Sequence, residues 1–148
     1  MIRITAEPFD PSRELASFGQ DPAIGAIATF IGQVRDEHGG GNLMALTLEH
    51  YPGMTERKLA ELEDDARARW DLSQVLIVHR HGRMEVGETI VLVATASGHR
   101  QAALEACQFL IDRLKTDAPF WKLEETKAGN HWVEAKTSDD TAADRWRQ

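Results

Sequence analysis

The chain has 148 residues, of which 42% are hydrophobic and 28% charged, a balance that excludes a disordered or fibrous polypeptide and predicts one folded domain over 1–148. Seventeen Lys and Arg against 24 Asp and Glu leave a formal charge of -7, the wrong sign for neutralising many phosphates, so no nucleic-acid partner is expected. The only cysteine is Cys107, which excludes an internal disulfide; the sequence shows neither a signal-like apolar run nor the roughly 20 apolar residues of a membrane span, and a cytoplasmic protein without membrane association is expected.

In chain order, Ile2 to Thr5 reads as a short strand, and Asp10 followed by Pro11 as a cap with proline at the first helical position, opening a helix toward Phe18 that Gly19 ends. The β-branched run from Ala23 to Val34 predicts a largely buried strand. Asp36 to Asn42, with three consecutive glycines, predicts a surface loop able to order on a ligand. Leu43 to Tyr51 follows as a strand. Leu59, Leu62, Ala66 and Trp70 then recur at helical spacing behind Thr55 as cap. Val75 to Val78 and Thr89 to Ala96 predict two strands joined by a connection that Gly82 and Gly87 delimit. A helix from about His99 to Lys115 lines up Ala103, Cys107, Leu110 and Leu114 on one stripe, and Pro119 stops it. Phe120 to Thr126 and His131 to Ala135 predict a closing strand pair around Ala128-Gly129-Asn130, with a helical turn beyond Ser138. The pattern is α+β: mixed, mostly antiparallel sheets packed with two or three helices.

Three segments carry chemistry. At Ser97-Gly98-His99-Arg100 a strand runs straight into a helix N-terminus, where free backbone N–H groups and the dipole favour an anion such as a phosphate monoester. His99 and Arg100 add donors; as mere solvated surface, two cations there would oppose the dipole. Lys115 and Lys122 flank a proline turn bearing aromatics. Lys115 also suits a helix C-terminus for dipole reasons alone, and Lys122 could simply pair with Glu124, which shares its face of a strand. Beside one apolar wall, however, two lysines can serve as acid, base or nucleophile. Arg35 ends a buried strand next to the glycine loop, either as a clamp for an anion or as a solvent-facing strand end.

Other residues carry less. His79 and His81 alternate on a strand, but no further Cys, His or carboxylate completes a metal-ligand spacing, so no metal is expected. Cys107 lies on the apolar stripe and reads as a buried small hydrophobe, so the chain is not expected to carry sulfur itself. No phosphate-cradling glycine loop or nucleophile elbow is present.

Taken together, Phe30-Ile31-Gly32-Gln33-Val34-Arg35, Leu48-Glu49-His50-Tyr51-Pro52-Gly53-Met54, Ser97-Gly98-His99-Arg100 and Leu114-Lys115 through Pro119-Phe120-Trp121-Lys122 resemble the large-subunit family of molybdopterin synthases in order and approximate spacing. The resemblance implies an α/β-hammerhead type of fold and a homodimer. It also implies a small ubiquitin-like sulfur-carrier partner at each outer end, giving a heterotetramer. Its implied reaction moves two sulfurs, in successive rounds, from the partner's C-terminal Gly-Gly thiocarboxylate to cyclic pyranopterin monophosphate, without a cofactor. Carried over residue by residue, it makes Lys115 and Lys122 catalytic and places Gln33, Val34, Arg35, Leu123 and Glu124 in the pocket. It also makes His99 and Arg100 the substrate-holding residues of the neighbouring subunit and Lys136 an additional basic contact. Leu123 departs from the family's pattern, where this position is often basic, and the Gly39-Gly40-Gly41 loop is expected to differ in length. Helix length supports a shared site independently: fifteen residues from Arg100 to Lys115 span about 22 Å at 1.5 Å per residue, too far for one small ligand. Two other readings are a non-catalytic module for phosphorylated small molecules and a scaffold whose Phe120-Trp121 segment receives a peptide tail.

Overall fold

A computed structural model describes residues 1–37, 39–133 and 137–147. In order, its elements are β1 (Ile2–Thr5), α1 (Pro11–Leu15), β2 (Ala26–Gln33), β3 (Leu43–His50), α2 (Met54–Arg69), β4 (Gln74–Arg80), β5 (Gly82–Glu85), β6 (Thr89–Ser97), α3 (Arg100–Asp117), β7 (Phe120–Thr126), β8 (Gly129–Val133) and α4 (Thr137–Asp144). The strands make two four-stranded sheets, ordered β1-β4-β6-β2 and β5-β3-β7-β8. Only the β1–β4 pair is parallel among them, so the sheets are mixed and mostly antiparallel as expected.

Local chemistry explains where the elements begin and end. Asp10 caps α1 by accepting from the Ser12 amide at 2.9 Å, with Pro11 in the first turn. The helix stops at Leu15 rather than Phe18, because Phe18 turns in to pack with Phe9 and Leu15 on the first sheet. For α2 the cap is Gly53, at φ 86°, and not Thr55; the Glu56 carboxylate reaches back to accept the Gly53 N–H at 2.5 Å. Thr55 is buried in the first turn, donating its hydroxyl to the Tyr51 carbonyl at 3.0 Å.

The main core lies between one face of the first sheet (Ala28, Val75, Ile77, Val91, Val93) and the apolar stripes of α2 and α3. The opposite face of that sheet (Leu76, Val78, Leu92, Ala94) is covered by Phe9, Leu15 and Phe18. Burial on both faces is why β4 and β6 read as continuous apolar runs instead of alternating ones. The second sheet has its own smaller core of Val34, Leu43, Leu46, Leu48 and Met84, reached by Ile90 and Phe120. A three-ring cluster fastens the C-terminal segment: Phe109 meets Trp70 edge-on at 5.4 Å and Trp146 at 5.6 Å. The Trp146 indole N–H donates to Asp112 at 2.7 Å.

Several expectations are corrected. The described residues contain four helices, two long and two short, where two or three were expected. The connection between Gly82 and Gly87 contains a strand, β5, paired with β3 from Ala45↔Glu85 to Leu48↔Gly82. β8 starts at Gly129, so the hairpin turn is Lys127-Ala128; its predicted end at Ala135 lies outside the described residues. α4 is two turns long rather than one.

Candidate active site

Strand register decides which of the predicted residues meet. On β7, Phe120, Lys122 and Glu124 stand opposite His50, Leu48 and Leu46 of β3, so all six share the inner face of the second sheet. Trp121 and Leu123 alternate to the outer face, where Leu123 pairs with Trp132 of β8. Leu123 is therefore separated by the sheet from the lysine and glutamate beside it. Trp121 and Trp132 are each 54% exposed on that outer side.

Lys122 is only partly exposed and has its ammonium 3.7 Å from Glu37 Oε1. The same oxygen lies 3.8 Å from Arg35 Nη2. Arg35 thus joins Lys122 around one carboxylate, on a base set by the end of β2. There the Val34 amide donates to the Glu88 carbonyl at 2.9 Å and its own carbonyl accepts from Gly87 at 2.7 Å. A register shift at Gly32/Gln33 turns the strand end at that point, leaving Gln33 exposed and Val34 buried in the smaller core. Val34 contributes packing, not a polar group.

Beneath this anchor sits Arg80, buried and donating to Glu88 at 2.7 Å, with no hydrogen-bond partner for its Nε among the described residues. The Arg80 guanidinium, together with the backbone N–H of Glu85, holds the Glu88 carboxyl below the usual carboxylate range. Glu124 is 2% exposed and has Nε2 of His131 at 3.3 Å from its Oε2, an ion pair whenever the imidazole is protonated.

Lys115 lies in the last turn of α3, exposed, where the helix dipole favours a cation. His79 on β4 lies within reach of the Lys115 charge and is 4% exposed, its ring stacked on Phe120 at 4.0 Å and 16°. Its Nδ1 lies 2.8 Å from the Arg80 carbonyl, so this nitrogen carries the proton. Burial pushes the imidazole down to about 4, against the Arg80 carbonyl that raises it, with Lys115, His50 and His81 adding to the depression. A ring kept neutral at physiological pH therefore joins the strand start that leads to Lys122 with the helix end that bears Lys115. His50 continues this aromatic edge, 4.3 Å from His81 between ring centroids. Among the described residues no cluster of three or more His, Cys, Asp or Glu could hold a metal ion.

His99 and Arg100 are at the other end of α3, both exposed, His99 as N-cap without a side-chain cap bond. The structure does not bring them to the lysines within one chain; the full length of the helix intervenes. Lys136 lies outside the described residues. Cys107 is buried as expected from its stripe, and burial pushes its thiol up to about 11. A cleft of about 790 Å³ runs between α2, the end of α3 and α4. Its arginines are already engaged, Arg69 with the Trp146 carbonyl, Arg113 with Asp117 and Arg147 with Asp144.

Glu37, His79 and His131 are additions that the sequence does not single out as binding or catalytic residues of this site. Glu37 was hidden in the glycine loop. Alternation with His81 drew attention to His79 only as a metal ligand. The pairing of His131 with Glu124 depends on a hairpin register that was placed differently.

An α+β protein with two mostly antiparallel sheets, and with Arg35 and Lys122 gathered around one carboxylate near the Lys115 end of its longest helix, is the class defined so far. A family model described as MoaE protein matches residues 4–117, and the chain belongs to that family. It is 50% identical, over 99% of both chains, to a molybdopterin synthase catalytic subunit of Pseudomonas aeruginosa. Among solved structures it is similar to a molybdopterin biosynthesis MoaE protein from Burkholderia ambifaria, with a TM-score of 0.83 and 46% identity over 99% of this chain and 97% of that one. It is also similar to a molybdopterin synthase from Staphylococcus aureus, with a TM-score of 0.82 and 32% identity over 89% and 96%.

Proposed function

We propose that residues 1–148 form a single catalytic-subunit domain of a cytoplasmic molybdopterin synthase. The substrate is cyclic pyranopterin monophosphate. Two sulfurs come to it in successive rounds from the C-terminal Gly-Gly thiocarboxylate of a small ubiquitin-like partner, without a cofactor or metal. The family and the 50% identity to a catalytic subunit support the reaction. The buried Cys107, its thiol pushed up by desolvation, fits a reaction in which sulfur arrives on another chain.

The observation that carries the reading is the gathering of Arg35 and Lys122 around one oxygen, at the Lys115 end of α3. In this proposal Lys115 and Lys122 assist attack by the thiocarboxylate and stabilise the negative charge that develops, while Arg35 holds the anionic substrate. Gln33 and Glu124 border the pocket, with Lys136 as an additional basic contact. His99 and Arg100, about 22 Å along the helix, act on the substrate of a neighbouring copy in a homodimer, within a heterotetramer that the two partners complete.

The test is to incubate the protein with cyclic pyranopterin monophosphate and a thiocarboxylated small ubiquitin-like partner, and to assay the dithiolene product by mass spectrometry. Product that disappears in Lys115→Ala supports the reading. Ligand binding without sulfur transfer overturns it and favours a phosphate-binding module instead.

A further inference from the structure

We propose that Glu37 is an internal competitor for the anion site, its carboxylate occupying the position between Arg35 and Lys122 that an anionic ligand must take. This deepens the proposed function and rests on Arg35 and Lys122 being ligand-binding groups. Three observations lead to it. First, a single oxygen, Glu37 Oε1, lies 3.8 Å from the guanidinium and 3.7 Å from the ammonium. A carboxylate oxygen shared by two cations, one from β7 and one from the loop after β2, reproduces the charge and the size of one oxygen of a phosphate or carboxylate ligand.

Second, the loop that carries Glu37 is closed by the residue before it. The Asp36 carboxylate accepts from the Gly41 amide at 2.7 Å and from the Leu43 amide at 3.2 Å, closing the loop on itself. Gly39, Gly40 and Gly41 all have φ between 65° and 75°, a region that favours glycine, so the tight return of this loop depends on three consecutive residues.

Third, the contact is weak enough to give way. Both separations are at the long end for an ion pair, and the Arg35 side chain is 76% exposed. A phosphate, with more charge and more acceptor oxygens, outcompetes one carboxylate for the same two cations, whereas a weak monoanion gains little from the exchange. Glu37 thereby sets a threshold of ligand charge at this site.

Inorganic phosphate serves as the probe, titrated calorimetrically at low salt into the full chain and its variants. Glu37→Gln is expected to tighten phosphate binding about two- to fivefold, the size set by an exposed pair. Glu61→Gln, the same charge change at an α2 carboxylate paired with Lys58, is expected to leave it unchanged. The gain is expected to vanish in Arg35→Ala/Glu37→Gln. The proposal is overturned if Glu37→Gln binds no tighter, if Glu61→Gln tightens equally, or if the gain survives without Arg35. Because this readout needs no turnover, tightening in a protein that makes no dithiolene product removes the synthase reading and leaves the competition standing.

Discussion

The two sheets of this protein are built to different specifications. In β1-β4-β6-β2 the central strands are buried on both faces, with Ile77, Val78, Leu92, Val93 and Ala94 fully enclosed. In β5-β3-β7-β8 one face covers a five-residue core while the other exposes Trp121 and Trp132. The first sheet holds the larger core and the second carries the ionisable groups: Lys122 and Glu124 stand on its inner face, in line with Phe120. Polar groups are tolerable there because each has a partner, Lys122 with Glu37 and Glu124 with His131. The long helix α3 spans both regions, its middle in the main core and its last turn bearing Lys115.

The division can be broken by substitution. Lys115→Ala should cost about 10²–10³ in the rate of dithiolene formation, the size of a lost charge-stabilising donor, with the melting temperature unchanged; a rate within tenfold of the parent would move Lys115 out of the chemistry. Phe109→Ala on the same helix should do the reverse, removing about 3–5 kcal/mol of stability in urea unfolding while leaving the per-folded-molecule rate near the parent's.

A pH experiment sharpens the boundary between the two regions. His79 is held neutral to about pH 4 when folded, against 6.5 for the free group, so the unfolded chain binds its proton first as the pH falls. Its stabilising effect is complete above pH 6.5 and is lost progressively down to pH 4, about 3 kcal/mol across that window. His79→Phe, which keeps a ring against Phe120, should flatten this part of the stability–pH curve measured by denaturant titration. An unchanged slope would mean the imidazole takes its proton in the folded state. At the small end, Leu104→Gln, at a side chain 61% exposed on α3, should change stability by no more than about 0.5 kcal/mol.

Much of the architecture was legible because burial leaves a periodic trace. β1 and β7 fall where the pattern put them, and α3 differs from expectation by two residues at its end, since Pro119 and the stripe from Ala103 to Leu114 delimit it. β5 was not legible: Gly82-Arg83-Met84-Glu85 has a single buried apolar residue, Met84, and becomes a strand only because β3 offers it an edge. Thr55 looked like a cap by type, but Gly53 at positive φ and the reach of Glu56 took that role.

The site was legible in part for the same reason. Lys122 and Glu124 share a face by simple alternation, and the same alternation turns Leu123 away. The meeting of Arg35 with Lys122 joins residues from β7 and from the loop after β2, through a carboxylate in a segment whose composition said only that it was a loop. Such long-range convergence leaves no periodic mark.

The central claim, that the two ends of α3 serve different copies of one site, is tested most directly by mixing subunits. Lys115→Ala and Arg100→Ala proteins, each inactive alone, are unfolded together, refolded and assayed for the dithiolene product with the thiocarboxylated partner. The account predicts recovery of about a quarter of the parent rate, since half the dimers are mixed and each mixed dimer holds one intact site. A mixture no more active than either variant alone would contradict it.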